Sequence, residues 1–541
     1  MKKQLFLIIS IAIFFLGTFL RFYQLDATPA SLEWDEVSIG YNAFSILKTG
    51  HDEYGEFLPT TFKAFGEYKQ PVYIYLDTLP IAAFGLNAFA VRFPSAFFGS
   101  ISIILVYLLV FELFRKQPFA KQSALLSAAF FAISPWSIQF SRAAFEANVS
   151  LAMIIGGAWL FLYGLHKKQQ RYFYSAIILF ALSTYTYISA KLFVPFIFIS
   201  LLIWGWKTYF VKRKRFVIII TMLLLVLSML WVLDPKSISR SGGVIFTNQQ
   251  SEILALPIQR TEYDLQQQDT IGSLFHNRRI VYAQTVAQNY LSHFDPIWLF
   301  FTGDSVERHH PPGMGQLYPF SLPFLLLGIF FLLTRCAKTS WPLFVWFLSA
   351  PIASALTFEA PHALRSLIFL PTWHIFEAFG VLYLLHAVRS RKLKMSLLIS
   401  ISIGYIGSIL FFIHMYFVHT NSEVQSPWQY GYKEAMLSAE GYSDEGKNVI
   451  FAENFEQPYI FYLFYTQHNP EEYINVGGSN RRSEACHKID TVYFGSCQGI
   501  IDTGDIYVAL DDSSKNQNNL LEEVPYTTGE PAIRIYEYKK M

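Results

Sequence analysis

The chain has 541 residues, of which 53% are hydrophobic and 15% are charged; soluble proteins have about 25% charged residues. Because so few charged residues cannot cover the apolar surface of a chain this long, the composition predicts a membrane protein in contact with lipid. The net charge of +2 argues against a nucleic-acid partner, which would need a strongly basic face.

Apolar segments long enough to cross about 30 Å of hydrocarbon occur about eleven times. The first, 5–22, reads as an uncleaved transmembrane helix because Arg21-Phe22-Tyr23 follows it without a small-residue cleavage site. The stretch 70–86 is short and interrupted by Asp77 and Pro80, so it is predicted as a juxtamembrane or re-entrant helix. The other predicted spans are 93–114, 122–140, 150–165, 172–189, 192–206, 216–233, 318–334, 341–357, 364–386 and 396–418.

The basic residues give the orientation, because Lys and Arg are retained in short cytoplasmic loops. Eleven spans place every basic cluster on the cytoplasmic side, together with the N-terminus. The loops of about 23–92 and 234–317 then face outward, as does everything after residue 418. The pattern predicts a multi-pass protein of the plasma or inner membrane.

Beyond the transmembrane domain of residues 1–418, the sequence of residues 419–541 becomes polar and alternating. Segments 448–452 and 505–510 are typical of strands, and segment 457–465 of a helix. We therefore expect a mainly α polytopic protein with a small extracytoplasmic α/β domain at its C-terminus. Cys486 and Cys497 both fall in that domain, which favours a disulfide bond over two unpaired thiols.

The first outward loop begins with a pair of acids, Asp35-Glu36, placed directly after a span and at the start of a predicted helix. One reading is an ordinary N-terminal cap with acids in the first turn. The other is catalytic, since one carboxylate can take a proton from an acceptor hydroxyl while its neighbour orients it or holds a cation.

The rest of that loop carries a resemblance. The Asp-Glu pair is followed by Lys69-Gln70-Pro71-Val72-Tyr73-Ile74-Tyr75 and then by Arg92-Phe93-Pro94-Ser95-Ala96. This order resembles the protein O-mannosyltransferase family and its bacterial relatives that transfer aminoarabinose to lipid A, both of the GT-C superfamily of membrane glycosyltransferases. The resemblance covers about residues 5–200.

The resemblance implies inverting transfer of a sugar from a polyprenyl-phosphate donor to an acceptor hydroxyl on the extracytoplasmic face. It implies Asp35 as the general base, Glu36 as its partner and Lys69 as a ligand of the donor phosphate. The chain departs from the aminoarabinose branch at Ser38, where an arginine is typical, and at Gln70-Pro71, where two prolines are typical. Those departures leave the sugar and the acceptor (a lipid, a glycan or a protein) open.

The remaining candidates lie in other outward loops. Arg142 and Glu146 are spaced i,i+4 and would share a helix face; Glu146 is expected to orient the acceptor or sugar, and Arg142 to pair with phosphate or with an acid of the first loop. A leaving phosphate also needs cations, and the further candidates are Arg365, His309, His310 and His362.

A cofactor is not certain from the sequence. The adjacent His309 and His310 make a divalent cation possible, without a third ligand at a metal-like spacing.

Aromatic residues gather in the same outward segments. Trp34, Tyr68 and Tyr73 are candidates to contact the sugar or the lipid, beside the ordinary interfacial role of such residues. Two other classes remain as alternatives: a transporter or lipid-carrier flippase, and a membrane-anchored binding protein whose C-terminal domain carries the function. The absence of a sequence repeat and the gathering of acids in outward loops favour the enzyme over the transporter.

Overall fold

The computed structural model describes residues 3–229, 250–483, 486–497, 502–510 and 519–538. The predicted outward loop 234–317 therefore lies partly outside the described residues. The chain forms two compact units. We call them the helical unit, which comprises Met1–Leu20, Phe98–Phe140 and Glu146–Phe412, and the mixed unit, which comprises Arg21–Phe97, Ser141–Phe145 and Ile413–Met541.

The helices are numbered here in chain order. Those of the first half are α1 Lys3–Phe22, α2 Trp34–Thr49, α3 Pro71–Phe84, α4 Ala88–Leu113, α5 Ala120–Ile133, α6 Pro135–Gln139, α7 Glu146–Lys167, α8 Gln170–Thr184, α9 Ser189–Gly205 and α10 Lys214–Met229. Those of the second half are α11 Gln250–Gln266, α12 Thr270–Phe275, α13 Arg278–Ser292, α14 Leu322–Arg335, α15 Ala337–Ser349, α16 Ile352–Ala355, α17 Leu370–Ala387, α18 Arg391–His414, α19 Thr420–Glu423, α20 Tyr432–Asp444, α21 Pro458–Tyr465 and α22 Pro470–Asn475.

Within the described residues, six helical segments are long and apolar enough to cross a membrane. They are Gln4–Phe22, Ala88–Leu113, Glu146–Lys167, Ser189–Phe210, Leu367–Ala387 and Arg391–Glu423, and shorter apolar helices lie at Pro71–Phe84, Ala120–Ile133 and Pro319–Arg335. Each of the eleven predicted spans coincides at least in part with one of the helices given above. The multi-pass membrane protein is confirmed, whereas the number of spans stays a prediction.

Close helix packing in the helical unit depends on two glycines. A Cβ atom added to Gly328 of α14 would lie 1.8 Å from the backbone oxygen of Phe376, and one added to Gly380 of α17 would lie 1.8 Å from that of Phe324. The two backbones therefore touch, as small residues allow between membrane helices. Any larger side chain at either glycine would push the helices apart.

The mixed unit contains a hairpin, β1 Phe62–Ala64 with β2 Glu67–Lys69, and a six-stranded sheet. The sheet strands are β3 Val449–Phe451, β4 Cys486–Ile489, β5 Val492–Gly495, β6 Ile506–Ala509, β7 Asn519–Pro525 and β8 Pro531–Glu537, in the spatial order β4-β5-β3-β6-β8-β7. The central strand β3 runs parallel to β5 and β6, and the outer pairs are antiparallel. The expected α/β fold of the C-terminal residues is confirmed, including both predicted strands and the helix that opens with Pro458.

A disulfide bond joins Cys486 at the start of β4 to Cys497, which follows β5. The predicted division of the chain at residue 418 stays a prediction. In the structure, the unit that holds the C-terminal residues also takes in Arg21–Phe97 and Ser141–Phe145.

Candidate active site

Helix α2 carries the predicted acid pair, and its first turn is fixed by a capping box. Glu33 is the N-cap in an extended conformation, and the Glu36 side chain accepts a hydrogen bond from the Glu33 N–H at 3.3 Å. Further along the helix, Gly40 allows close packing, since an added Cβ atom would lie 2.6 Å from side-chain atoms of Val91 and Phe464. The first turn is therefore held in place before Asp35 and Glu36 are considered as reactive groups.

Asp35 and Lys69 form an ion pair. The Lys69 Nζ lies 2.8 Å from the Asp35 Oδ1 and also donates a hydrogen bond to the Asp35 backbone oxygen at 3.1 Å. The Lys69 side chain is 5% exposed, whereas that of Asp35 is 49% exposed. A buried cation thus holds a carboxylate that is open to an incoming molecule.

Glu36 has a different environment. Its side chain is 1% exposed and pairs with Arg92 through two hydrogen bonds of 3.0 Å, one from Nε and one from Nη2. The Ala144 N–H donates a third bond to its Oε1 at 2.9 Å. The sequence placed Glu36 beside the base as a partner in catalysis; the structure makes it a buried anchor, with its oxygens occupied by protein groups.

Arg92 begins the Arg-Phe-Pro-Ser-Ala motif, but the sequence did not predict it as a site residue. Its Nη groups also donate to the backbone oxygens of Leu25, Pro29 and Ser31. One buried guanidinium therefore fixes the segment between α1 and α2 as well as the acid that follows Asp35. The sequence contained one indication of this role. Arginine is always charged and has five N–H donors, and Arg92 lies in the same loop as the acid Glu36.

The predicted helix face shared by Arg142 and Glu146 is wrong, because helix α7 begins at Glu146 and Arg142 precedes it in irregular backbone. The buried Arg142 donates from Nη2 to the backbone oxygens of Gln24 and Thr28 at 3.0 and 2.9 Å. Its guanidinium also lies over the rings of Tyr416 and Phe417. Burial lowers the pKa of Arg142, and neighbouring Tyr416 partly offsets that effect.

The other predicted phosphate ligands lie in the helical unit. Arg365 donates to the Phe358 backbone oxygen at 2.6 Å and to the Thr357 hydroxyl at 2.9 Å, and pairs with Glu359 at 3.3 Å. These contacts hold it within its own loop. His309 and His362 lie close to Asp304, a residue that the sequence did not predict as part of a site. His310 instead contacts the backbone oxygens of Asp304 and Pro311.

The three aromatic candidates differ in position. Tyr73 is fully buried, and its hydroxyl donates to the Val91 backbone oxygen at 2.9 Å, so it fastens α3 to α4 and offers no surface to a sugar. Tyr68 lies on β2 opposite Lys63 and is half-buried. Trp34 is half-buried and lines a cavity.

That cavity has a volume of about 490 Å³. It lies at the carboxyl ends of the parallel strands β3 and β5, the position where α/β sheets commonly bind ligands. Apart from Trp34, its polar and aromatic lining includes Glu453, Glu456, Gln457, Tyr459 and His487. Trp34 directly precedes the half-exposed Asp35 in helix α2.

Two more acids of the first loop are buried in the mixed unit. Glu53 accepts hydrogen bonds from the Asn42 amide at 3.0 Å and from the Ser479 hydroxyl at 2.6 Å. The Ser479 hydroxyl contacts that of Tyr473, which contacts His487 of the cavity wall at 3.2 Å. Burial raises the pKa of Glu53. The chain of contacts ties the first loop to the sheet.

Asp52 yields a test of the buried acids. Burial raises its pKa to about 6, although the N–H groups of Glu56 and Tyr54 oppose the shift. A raised pKa means that protonation stabilises the folded protein below about pH 4 and that this stability is lost as the pH rises through 6. We therefore expect Asp52→Asn to raise the free energy of unfolding at pH 7.5 by up to about 3 kcal/mol, and with it the Tm. This gain in stability should shrink as the pH falls toward 4.

The measurement is thermal unfolding in detergent micelles across pH 4 to 8, with Glu67→Gln as the control, because Glu67 is an exposed acid on β2 of the same loop. A gain that is the same at every pH would show that Asp52 does not titrate in this window.

Comparison with known families gives a match to part of the chain. Residues 68–231 match the sequence model of the family described as dolichyl-phosphate-mannose-protein mannosyltransferase. The match begins one residue before Lys69 and leaves out the Asp35-Glu36 pair. No curated protein sequence matched this chain.

Solved structures extend the likeness to the whole chain. ArnT from Cupriavidus metallidurans in the apo state superposes with a TM-score of 0.54 at 8% identity, over 98% of this chain and 97% of that one. The archaeal oligosaccharyltransferase AglB from Archaeoglobus fulgidus, in complex with an inhibitory peptide and a dolichol-phosphate, gives 0.53 at 14% identity, over 95% of this chain and 70% of that one. Against the same oligosaccharyltransferase tethered to an acceptor peptide, this chain spans 63% of the other chain's length.

The chain has the GT-C fold. With the family match over residues 68–231, the resemblance to GT-C membrane glycosyltransferases that the sequence predicted is confirmed.

Proposed function

We propose that this protein transfers a sugar from a polyprenyl-phosphate donor to an acceptor hydroxyl at the extracytoplasmic membrane face, with inversion at the anomeric carbon. The observation that carries the proposal is the half-exposed Asp35 carboxylate, held by buried Lys69 and backed by the buried Glu36–Arg92 pair. Relatives of the same fold support the lipid donor, since one structure of ArnT from Cupriavidus metallidurans, at 8% identity and a TM-score of 0.53, contains undecaprenyl phosphate.

The reaction requires a base and a stabilised leaving group. Asp35 accepts the proton of the acceptor hydroxyl, and the oxygen attacks the anomeric carbon of the donor sugar. The bond from that carbon to the phosphate oxygen breaks, and the polyprenyl phosphate departs with the bonding electrons. A cation beside the phosphate stabilises the charge that develops on it, and attack opposite the leaving group inverts the configuration.

The cavity beside Trp34 suits the acceptor. It combines aromatic side chains, among them Trp34 and Tyr459, with the carboxylates of Glu453 and Glu456. Aromatic faces pack against the apolar face of a sugar ring, and carboxylates accept hydrogen bonds from its hydroxyl groups. We propose that this cavity holds the acceptor while its hydroxyl reaches Asp35.

Lys69 is proposed to exchange its ion pair with Asp35 for the donor phosphate. In an inverting attack the base and the phosphate lie on opposite sides of the anomeric carbon, so the ammonium cannot serve both groups in the transition state. Since a hydrogen bond to a charged group contributes about 1.5–3 kcal/mol, we expect Lys69→Met to raise the KM for the donor by about 10- to 100-fold.

The assay uses purified protein in lipid nanodiscs with a set of polyprenyl-phosphate sugars, and follows release of the polyprenyl phosphate. Lys63→Met is the control, because exposed Lys63 lies on the neighbouring strand and covers the Tyr54 ring. If Lys69→Met lowers kcat and leaves the donor KM unchanged, Lys69 positions Asp35 and does not bind phosphate. If the wild-type protein releases polyprenyl phosphate from none of the donors in the set, the proposed function is wrong.

A further inference from the structure

Asp304, His309 and His362 form a cluster in the helical unit, apart from the residues used above. The Asp304 Oδ2 lies 2.8 Å from the His309 Nδ1 and 3.9 Å from the His362 Nδ1. One ligand atom from each residue lies within 4.8 Å of the other two, and all three side chains are buried. Three polar side chains that converge in a protein interior indicate a specific role, because removing each of them from water costs free energy.

The set of side chains suits a cation. One carboxylate and two imidazoles converge here, and both kinds of group are ordinary ligands of divalent metals.

The surrounding backbone holds the carboxylate in place. The Ala363 N–H donates to the Asp304 Oδ2 at 2.5 Å, and the His310 Nε2 contacts the Asp304 backbone oxygen at 2.9 Å. The rings of His309 and His362 have centroids 4.8 Å apart. Such contacts around a carboxylate and its imidazoles are the kind that orient metal ligands.

We propose that Asp304, His309 and His362 bind one zinc-type divalent cation. Tetrahedral zinc with bonds of about 2.0–2.1 Å has its ligand atoms about 3.4 Å apart, which rotation of the imidazole rings can reach from the present spacing. Imidazole nitrogens favour zinc over Mg²⁺ or Ca²⁺, which prefer oxygen ligands. A fourth position is left for water.

The ion would join two separate loops of the helical unit. Asp304 and His309 lie between α13 and α14, and His362 lies between α16 and α17. A ligand from each side closes the 52 residues between His309 and His362 into a loop and so stabilises the folded state. This site lies outside the matched residues 68–231 and does not depend on the proposed transferase reaction.

The test measures zinc on the purified, full-length protein. After chelator treatment and gel filtration, we expect added ZnCl₂ to raise the Tm and to remain bound at about one ion per chain, and MgCl₂ to do neither. This measurement needs no variant. Failure of the wild-type protein to retain zinc or to gain stability from it would overturn the proposal.

Variants then locate the ion. Asp304→Asn and His362→Ala should each lose the bound zinc and the Tm gain. His276→Ala should keep both, since His276 pairs with Asp264 in a separate Asp–His contact. The partly exposed His419, which contacts His414 and Glu423, is another place where zinc could bind. If His419→Ala removes the zinc and His362→Ala does not, the proposed site is wrong.

Discussion

Replacing Asp35 with asparagine should reduce kcat by about 10²- to 10⁴-fold, the loss expected when a general base is removed. Asparagine has nearly the same shape and can still accept a hydrogen bond from Lys69, so the fold and the Lys69 position should persist. It cannot take a proton from the acceptor hydroxyl. The measurement is turnover of the preferred polyprenyl-phosphate sugar in nanodiscs, with the Tm recorded in parallel.

Two comparisons make this result specific to the carboxylate. Glu67→Gln removes one negative charge from the same loop at an exposed position on β2, and we expect it to leave kcat within a factor of about 2, since surface substitutions of this kind have small effects. Affinity for the polyprenyl phosphate product should not fall in Asp35→Asn, because Lys69 keeps its charge and no longer pairs with a carboxylate. Turnover unchanged within a few-fold in Asp35→Asn would remove Asp35 as the base.

The sequence located Asp35 and Lys69 because order along the chain was enough. An acid pair after the first span and a lysine further along the same loop match a known pattern, and the structure brings the Lys69 Nζ to 2.8 Å from the Asp35 Oδ1. The apolar segments were equally readable, since hydrophobic length decides where helices cross a membrane. The strand and helix near residues 449–465 followed from alternation and from Pro458 at a helix start.

The sequence could not reveal which acid would be buried. Asp35 and Glu36 are adjacent and chemically similar, yet one is half exposed and the other fully enclosed by Arg92 and the Ala144 N–H. That difference comes from segments distant in sequence, and spacing along one helix has no information about them. The same limit explains the wrong helix face at Arg142 and the missed Asp304, whose partner His362 lies 58 residues further on.

Breaking the buried Glu36–Arg92 ion pair should strongly destabilise the mixed unit. Arg92→Met leaves the Glu36 carboxylate buried without its partner and removes the donors to Leu25, Pro29 and Ser31. Breaking a buried pair in this way costs about 3–5 kcal/mol. We therefore expect a large fall in Tm and loss of transferase activity, measured on the same detergent-solubilised preparation.

A double variant separates the ion pair from simple loss of packing. Glu36→Gln in the Arg92→Met background removes the uncompensated charge and keeps an oxygen for the Ala144 N–H, so it should recover part of the lost Tm. Lys447→Met provides the comparison for an exposed pair, since the side chains of Lys447 and Glu445 are 42% and 62% exposed and lie 3.0 Å apart. There we expect only a small change in Tm, because exposed ion pairs contribute little to stability.

Activity should not return with stability in the double variant. The carbonyl contacts of Arg92 are still missing, so the segment between α1 and α2 that sets the position of Asp35 stays unanchored. Recovery of Tm without recovery of kcat would separate the two effects of the pair: the charge balance stabilises the fold, and the guanidinium places the base. If the double variant is no more stable than Arg92→Met, the loss comes from the missing carbonyl contacts, and the charge pairing with Glu36 contributes little.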